Sequence, residues 1–322
     1  MRINTAFKVD QFTDGRNLHS ECKGCGERHA IPYLSAPDRF YGRKKAYKLM
    51  RCPSCSLVWI DNPPKPDEMS EHYGSDYDRW VAAAGDSSER WRGRVDTIAK
   101  YRSGGRLLDL GCSSGGFLKA MKSPRWELYG IEISEDVASR AGCETGAKMF
   151  VGDICDAPYV PASFDVIVCF HVFEHLYEPQ AVLKKVSEWL KPGGIFYVML
   201  PNIDSAGARV FRSYWYALEL PRHLYHFSPK SLSRMTRSVG LEEVSMVTGR
   251  EVFLEKSVHY IVDDLLERVG ISRVPLARWK EPSVPFKVLR KMRRLTVDHV
   301  LTAAIGLVGD GESIHAVFRK SK

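Results

Sequence analysis

Four cysteines near the start of the chain have the types and spacing for metal chemistry. Cys22 and Cys25 form one C-x2-C pair, Cys52 and Cys55 a second, with 26 residues between the pairs. Each pair closes a tight knuckle that points two thiolates at one centre, and two knuckles give the tetrahedral sulfur set that Zn2+ prefers. Four thiolates leave no open coordination position, so a zinc there would hold structure and not catalyse. A redox pair or chance spacing are the plainer alternatives. The other cysteines, Cys112, Cys143, Cys155 and Cys169, are scattered singly. The stretch MRINTAFKVDQF has no apolar core of a secretory signal, so a disulfide framework is not expected.

A second group of residues suits a nucleoside ligand. Leu107-Leu-Asp-Leu-Gly111-Cys-Ser113-Ser-Gly115-Gly116-Phe117 reads as a strand, a glycine-rich turn and the start of a helix. Glycines there let the backbone approach a ligand closely and adopt positive φ. The turn has no Lys, so it is not a phosphate loop of the Walker kind, and it lacks the G-x-G-x-x-G of dinucleotide folds. Glu132 ends the next strand, Tyr129-Gly-Ile-Glu-Ile, 21 residues past Gly111. A carboxylate at that place in a doubly wound sheet can accept from both ribose hydroxyls. Asp153 ends a third strand, Phe150-Val-Gly-Asp-Ile, where it can accept from an adenine amino group.

Histidines supply the third group. His171-Val-Phe-Glu174-His175 follows a fourth strand, and Pro221-Arg222-His223-Leu-Tyr225-His226-Phe-Ser228 follows a fifth. A histidine oriented by Glu174 could take the proton from a substrate hydroxyl. The bland alternative is that Glu174 and His175 only start and pack a helix.

The elements that must position these groups follow a regular alternation. From Arg106 onward, β-rich runs (RLLDLG, WELYGIEI, KMFVGD, FDVIVCF, GIFYVMLP) are separated by helical stretches such as Gln180 to Leu190. That order predicts an α/β fold with a doubly wound, mostly parallel sheet covered on both faces. The carboxyl edge of such a sheet is where ligands bind, so both histidine loops should meet at one mouth. We expect three regions: a zinc-ribbon module over 1–66 that closes at Asn62-Pro63-Pro64-Lys65-Pro66, a helical linker over 67–103, and the ligand-binding domain over 104–322. The linker carries Tyr73, Tyr77, Trp80 and Trp91. The domain should contain a helix beginning at Ser228-Pro229, a strand near Glu243 to Val247, a helical insertion at about 251–308 and a last strand, SIHAVFRK.

The pieces LLDLGCSSGGF, YGIEIS, VGDI, FDVIVCFHVFEHL and LKPGGIFYVMLPN stand in the order seen in class I S-adenosylmethionine-dependent methyltransferases, and the chain resembles that family from residue 106 to about 249. The resemblance implies a seven-stranded Rossmann-like sheet. It also implies that Asp109 and Gly111 border the methionine part of the cofactor, Glu132 the ribose, and Asp153 with Ile154 the adenine. Ser113 stands where a Gly is common, and Ser113, Gly115 and His171 complete the candidate cofactor set. The N-terminal half resembles bacterial methyltransferases with a zinc ribbon, often associated with sugar, polysaccharide or secondary-metabolite methylation. Glu174, His175 and one of His223 or His226 resemble the acid–histidine sets of metal-assisted O-methyltransferases, including quinone-biosynthesis enzymes. A second divalent ion beside Glu174 and His175 is therefore expected as the alternative to a histidine base.

Composition bounds the partners. The 322 residues include 47 Lys and Arg against 39 Asp and Glu, a net charge of +8, which permits an anionic partner without choosing one. No apolar run reaches the roughly 20 residues of a membrane span, so a cytoplasmic protein is expected. Lys287, Arg290, Lys291 and Arg294 would share one helix face, followed by the apolar stretch Val297 to Val308. That pattern fits a solvated helix, or peripheral contact of 284–308 with an anionic membrane at its inner face. Nucleic acid is less expected, because few aromatics interleave the basic residues. The function these features predict is methyl transfer to a hydroxyl, less readily a carbon or nitrogen, of a small molecule, sugar or lipid-linked glycan. The alternatives are an RNA methyltransferase that holds nucleic acid with ribbon and insertion, and a non-catalytic scaffold subunit.

Overall fold

The computed structural model describes residues 21–74, 88–249, 253–270 and 311–321. Its centre is a seven-stranded sheet. In chain order its strands are β4 (Gly105–Leu110), β5 (Trp126–Glu132), β6 (Lys148–Val151), β7 (Phe164–Phe170), β8 (Leu190–Pro201), β10 (Leu241–Gly249) and β11 (Ser313–Lys320). They lie side by side as β10-β11-β8-β7-β4-β5-β6, and β11 alone runs antiparallel to its neighbours. This is the expected α/β fold with a mostly parallel sheet. Central strands of such sheets are covered on both faces and so read as unbroken apolar runs. Val166 to Cys169 of β7 and Ile195 to Leu200 of β8 are all buried.

Helices α2 (Ser88–Ala99), α3 (Gly116–Met121), α4 (Glu135–Thr145), α5 (Pro179–Trp189) and α7 (Pro229–Arg237) connect and cover these strands. Their ends obey local chemistry. Pro opens α5, where a missing N–H costs nothing. The Ser228 hydroxyl accepts from the Ser231 amide to cap α7. Gly146, at φ 77, ends α4. One apolar cluster joins Trp189, Phe164 and Phe196 under α5; another joins Phe117, Val168 and Tyr197, with Trp91 of α2 packed against it. Trp91, Phe117, Phe170 and Tyr197 form a ladder with successive ring centroids 5.8, 5.0 and 5.0 Å apart.

The cysteine region forms a second, antiparallel sheet from β1 (Ile31–Pro37), β2 (Ala46–Arg51) and β3 (Val58–Ile60). Its fourth strand is β9 (Tyr225–His226), which comes from the histidine segment far along the chain and pairs Val58 with His226 and Trp59 with Tyr225. After β3 the described linker is α1 (Pro66–Met69), a 3-10 turn (Ser70–His72) and then α2. Helix is therefore interrupted within 67–103: Tyr73 leaves the turn at φ −119, ψ 83. Tyr77 and Trp80 lie outside the described residues. Helix α6 (Ala206–Phe211) and two 3-10 turns (Arg212–Tyr214, Tyr216–Leu218) fill the irregular stretch after β8. In the β10–β11 connection, α8 (Phe253–Arg268) begins the expected helical insertion, whereas the basic run and 284–308 lie outside the described residues. No helix among the described residues is long and apolar enough to cross a membrane.

Candidate active site

The glycine turn sits at the carboxyl end of β4. Gly111 (φ 69), Ser113 (φ 48) and Gly115 (φ 78) all take left-handed backbone, which explains why Gly is common where Ser113 stands. Glu132 holds the turn in that shape. Its Oε2 accepts from the Ser113 amide at 3.0 Å and its Oε1 from the Ser134 amide at 3.1 Å. A carboxylate has about four lone-pair sites, so roughly two remain for ligand hydroxyls. Asp109 is 3% exposed, and burial together with the neighbouring Glu132 charge pushes its carboxyl well above the usual range, against the pull of Arg94. An acid in that state is completed by a cationic group such as an amino-acid ammonium.

Asp153 is exposed beyond β6 and uses Oδ1 to accept from the Cys155 amide at 2.7 Å. Ile154, next to it, is buried. Ile133 follows Glu132 and is 77% exposed, while the Glu132 carbonyl accepts from the Gly152 amide at 3.1 Å. A bare isoleucine beside this turn offers an apolar face for a base. Nothing in the residue pattern distinguishes it except its place after Glu132.

The first histidine loop abuts this cradle. A Cβ on Gly111 would lie 2.6 Å from Val172 Cγ2, so the turn and the loop are in van der Waals contact. His171 takes φ 56 and donates its amide to the Met199 carbonyl at 2.8 Å. Its Nδ1 lies 3.6 Å from Glu174 Oε1. Glu174 is 1% exposed, and neither carboxylate oxygen has a hydrogen-bond partner.

Two imidazoles meet this carboxylate. His175 and His223 stand edge to face, with centroids 4.6 Å apart. His175 Nδ1 lies 3.1 Å from the Arg222 carbonyl and 2.9 Å from the Tyr73 hydroxyl; His223 Nδ1 lies 2.8 Å from the Ala217 carbonyl. A carbonyl can only accept, so His223 donates from Nδ1 and keeps Nε2, 3.6 Å from Glu219 Oε2, for a ligand; His175 Nδ1 is shared between the Tyr73 hydroxyl and the Arg222 carbonyl. One ligand atom each from Glu174, His175 and His223 lie within 4.8 Å of one another. Burial and the neighbouring His175 and His226 push the His223 pKa well below its ordinary value, so that ring is neutral. A carboxylate and two imidazoles converge here, with the Tyr73 hydroxyl and His171 Nδ1 at their edge, a set suited to a divalent cation. His226 is placed differently. It sits in β9, its Nε2 donates to the Leu218 carbonyl at 3.0 Å, and its buried Nδ1 has no partner. Burial lowers its pKa to about 4.

The four N-terminal cysteines come together as the spacing predicts. Cys22 and Cys55 sulfurs are 3.5 Å apart, those of Cys25 and Cys52 3.6 Å, and all four lie within 4.8 Å of one another. Four sulfurs at Zn–S distances in a tetrahedron would be about 3.8 Å apart. The two knuckles repeat one geometry: Cys22 N to Glu27 O at 2.8 Å matches Cys52 N to Leu57 O at 2.9 Å. Gly26 (φ 77) and Ser56 (φ 68) occupy the same place in each. Hydrogen bonding to Cys22 pulls the Cys55 thiol below its ordinary value, toward the thiolate a cation would bind.

Sequence reasoning passed over Asp38, which is completely buried and lies 3.5 Å from the buried guanidinium of Arg222. Arg222 Nε also lies 3.3 Å from Glu219. Nothing in residue spacing connects position 38 with position 222.

The sheet order, the glycine cradle and the acid-ended strands define a class I methyltransferase fold. A family model described as a methyltransferase domain matches residues 79–246. The chain belongs to this family and is an S-adenosylmethionine-dependent methyltransferase. Among similar proteins, the ubiquinone biosynthesis O-methyltransferase of Idiomarina loihiensis is 31% identical over 157 residues, 44% of this chain and 64% of that protein. The chain thus spans just under two thirds of that relative's length. The enzyme of the same name from Azoarcus sp. is 28% identical over 163 residues, 45% of this chain and 67% of that one. A solved structure of a candidate methyltransferase from Bacillus halodurans shares the fold at TM-score 0.50 and 16% identity, covering 71% of this chain and 98% of that chain.

Proposed function

We propose that the protein transfers a methyl group from S-adenosylmethionine to a hydroxyl of a small molecule, with Glu174, His175 and His223 as the centre that handles the hydroxyl proton. The observation that carries this reading is the convergence of these three groups beside the glycine turn, with Glu174 buried and neither of its oxygens hydrogen-bonded. The similarity to O-methyltransferases of ubiquinone biosynthesis supports an oxygen acceptor.

S-adenosylmethionine supplies an electrophilic methyl on a sulfonium and needs no acid for activation. The chain's work is to bind and align. Asp109 faces the ammonium, Glu132 takes the ribose hydroxyls with the lone pairs its amide partners leave free, and Asp153 with Ile133 and Ile154 receives the adenine. Glu174, His175 and His223 would hold a divalent ion, which would acidify the acceptor hydroxyl. The Ala217 carbonyl holds His223 through Nδ1 and leaves its Nε2 for a ligand. Burial around Glu174 excludes water that would otherwise compete for these acceptors. The four cysteines would hold a structural Zn2+, which would supply no open coordination position.

The test is incubation of the protein with methyl-labelled S-adenosylmethionine and extract from the source organism, followed by separation into polymer, organic-soluble and small polar fractions. Label in the organic-soluble or small polar fraction, lost with Glu174→Gln and with chelator, is the expected result. Label that disappears with RNase overturns the small-molecule acceptor.

A further inference from the structure

We infer that the cysteine ribbon is a working part of the acceptor site: through Asp38, Tyr73 and the β3–β9 pairing it fixes the two imidazoles, so that methyl transfer depends on the ribbon while S-adenosylmethionine binding does not. This rests on the assignment of Glu174, His175 and His223 as the acceptor site.

Three connections converge on the same short segment. The first is the buried pair. Asp38, at the end of β1, lies 3.5 Å from Arg222 Nη2, and both side chains are fully buried. The Arg222 guanidinium also stands over the Phe40 ring at 4.8 Å and donates to the His72 carbonyl at 3.3 Å. Ribbon, linker and Glu219 thus all hold its charge. The carbonyl of this same residue lies 3.1 Å from His175 Nδ1. Breaking a buried ion pair at one end leaves a charge uncompensated, and the backbone carrying it must shift.

The second connection is the Tyr73 hydroxyl, which shares His175 Nδ1 at 2.9 Å. The third is β9. Its two residues bond to β3 of the ribbon, and the Ile60 amide donates to the Leu224 carbonyl at 3.1 Å. The Leu224 amide in turn donates to the Glu174 carbonyl at 2.9 Å. One residue therefore bridges the ribbon and the turn that carries Glu174 and His175. β3 follows directly from the Cys52–Cys55 knuckle, so its position is set by the cysteine cluster. The glycine cradle leans on it far less: Glu132 and Ser134, which hold its shape, lie in the large sheet and its loops, and Val172 touches it from the histidine loop.

The test uses the full chain with Asp38→Asn and Tyr73→Phe beside Glu174→Gln. Each is checked for one zinc per chain and for S-adenosylmethionine affinity by calorimetry. Turnover is the rate at which labelled methyl enters the extract pool that the wild-type protein labels. The expected result is a fall of tenfold or more in turnover for both Asp38→Asn and Tyr73→Phe, with cofactor affinity within twofold of wild type. Full turnover in both, with Glu174→Gln inactive, overturns the coupling and leaves the site assignment standing; full turnover in Glu174→Gln removes the site assignment instead. Should Asp38→Asn fail to fold, amide exchange after zinc chelation decides the matter without an acceptor. Faster exchange at Leu224 and His226 with β5 and β7 still protected is expected, and unchanged exchange at both overturns the coupling.

Discussion

Replacing Glu132 by Ala separates the cofactor assignment from simple structural support. The carboxylate accepts from the Ser113 and Ser134 amides, at 3.0 and 3.1 Å, and keeps two lone-pair sites for the ribose. A hydrogen bond to a charged group contributes about 1.5–3 kcal/mol, and the partial exposure of Glu132 argues for the lower end. Two ribose bonds then amount to about 3 kcal/mol, and at 1.4 kcal/mol per decade the affinity for S-adenosylmethionine should fall roughly 100-fold. The freed amides can reach water, so the fold should lose only about 1–2 kcal/mol. Calorimetric titration of the cofactor, with urea unfolding alongside, reads both numbers. Asp165→Asn is the matched control. Asp165 Oδ2 accepts from the Arg106 amide at 2.9 Å and from Lys191 at 2.6 Å, at the opposite end of the strands. It should lower stability and leave cofactor affinity alone. A folded Glu132→Ala protein that binds S-adenosylmethionine within threefold of wild type would refute the ribose assignment.

Gly111→Ala puts a Cβ 2.6 Å from Val172 Cγ2 at φ 69, so it should cost on the order of 2–4 kcal/mol in urea unfolding and abolish cofactor binding; adding Val172→Ala should recover part of the stability. Cys52→Ala should take zinc from one to none per chain by atomic emission, and should remove the amide protection of β1 to β3 while β4 to β8 keep theirs. Asp264 has the pH signature. Burial raises its pKa, but the Tyr214 hydroxyl at 2.6 Å and Arg39 at 2.9 Å outweigh it, and the carboxyl sits below its ordinary value. Its folded pKa is depressed, so its contribution of about 1–2 kcal/mol is full above the unfolded value near 4 and is lost as pH falls through the lower folded value. The stability gap between wild type and Asp264→Asn should accordingly be largest at pH 7 and close below pH 4; a gap that widens on acidification contradicts the assignment.

Much of the fold was legible because its signals are local. β7 and β8 are unbroken apolar runs, and only a strand buried on both faces reads that way. The cysteine knuckles and the glycine turn were equally plain, since each is a backbone shape fixed by a few adjacent residues. Ser228 and Pro229 marked the start of α7 to the residue. What stayed hidden depends on meetings between distant residues. β9 is two residues long and has no alternation of its own; it is a strand only because β3 lies beside it. His223 and His226 looked equivalent in the sequence. The carbonyls of Ala217 and Leu218 separate them, holding His223 through Nδ1 and His226 through Nε2, and His223 places a ligand atom within 4.8 Å of Glu174 and His175.

The contrast between those two histidines bears on how such a site is built. The stretch from Pro201 to Phe227 contains short turns and one six-residue helix, too little regular structure to fix an imbedded imbalance of acceptors by itself. The buried Glu174 carboxylate beside His175 and His223 has no hydrogen-bond partner on either oxygen, which is unfavourable until a cation or proton arrives. Something must hold them in place meanwhile. The restraints the structure supplies are external: Tyr73 from the linker, Asp38 and β3 from the ribbon, and the Tyr214–Asp264–Arg39 contacts that fasten α8 across the same segment. The cofactor cradle, built from glycines and acids of the large sheet, leans on them far less. A ribbon with four closed thiolates can contribute nothing to methyl transfer by coordination, but it can contribute rigidity, and rigidity is what such a cluster requires.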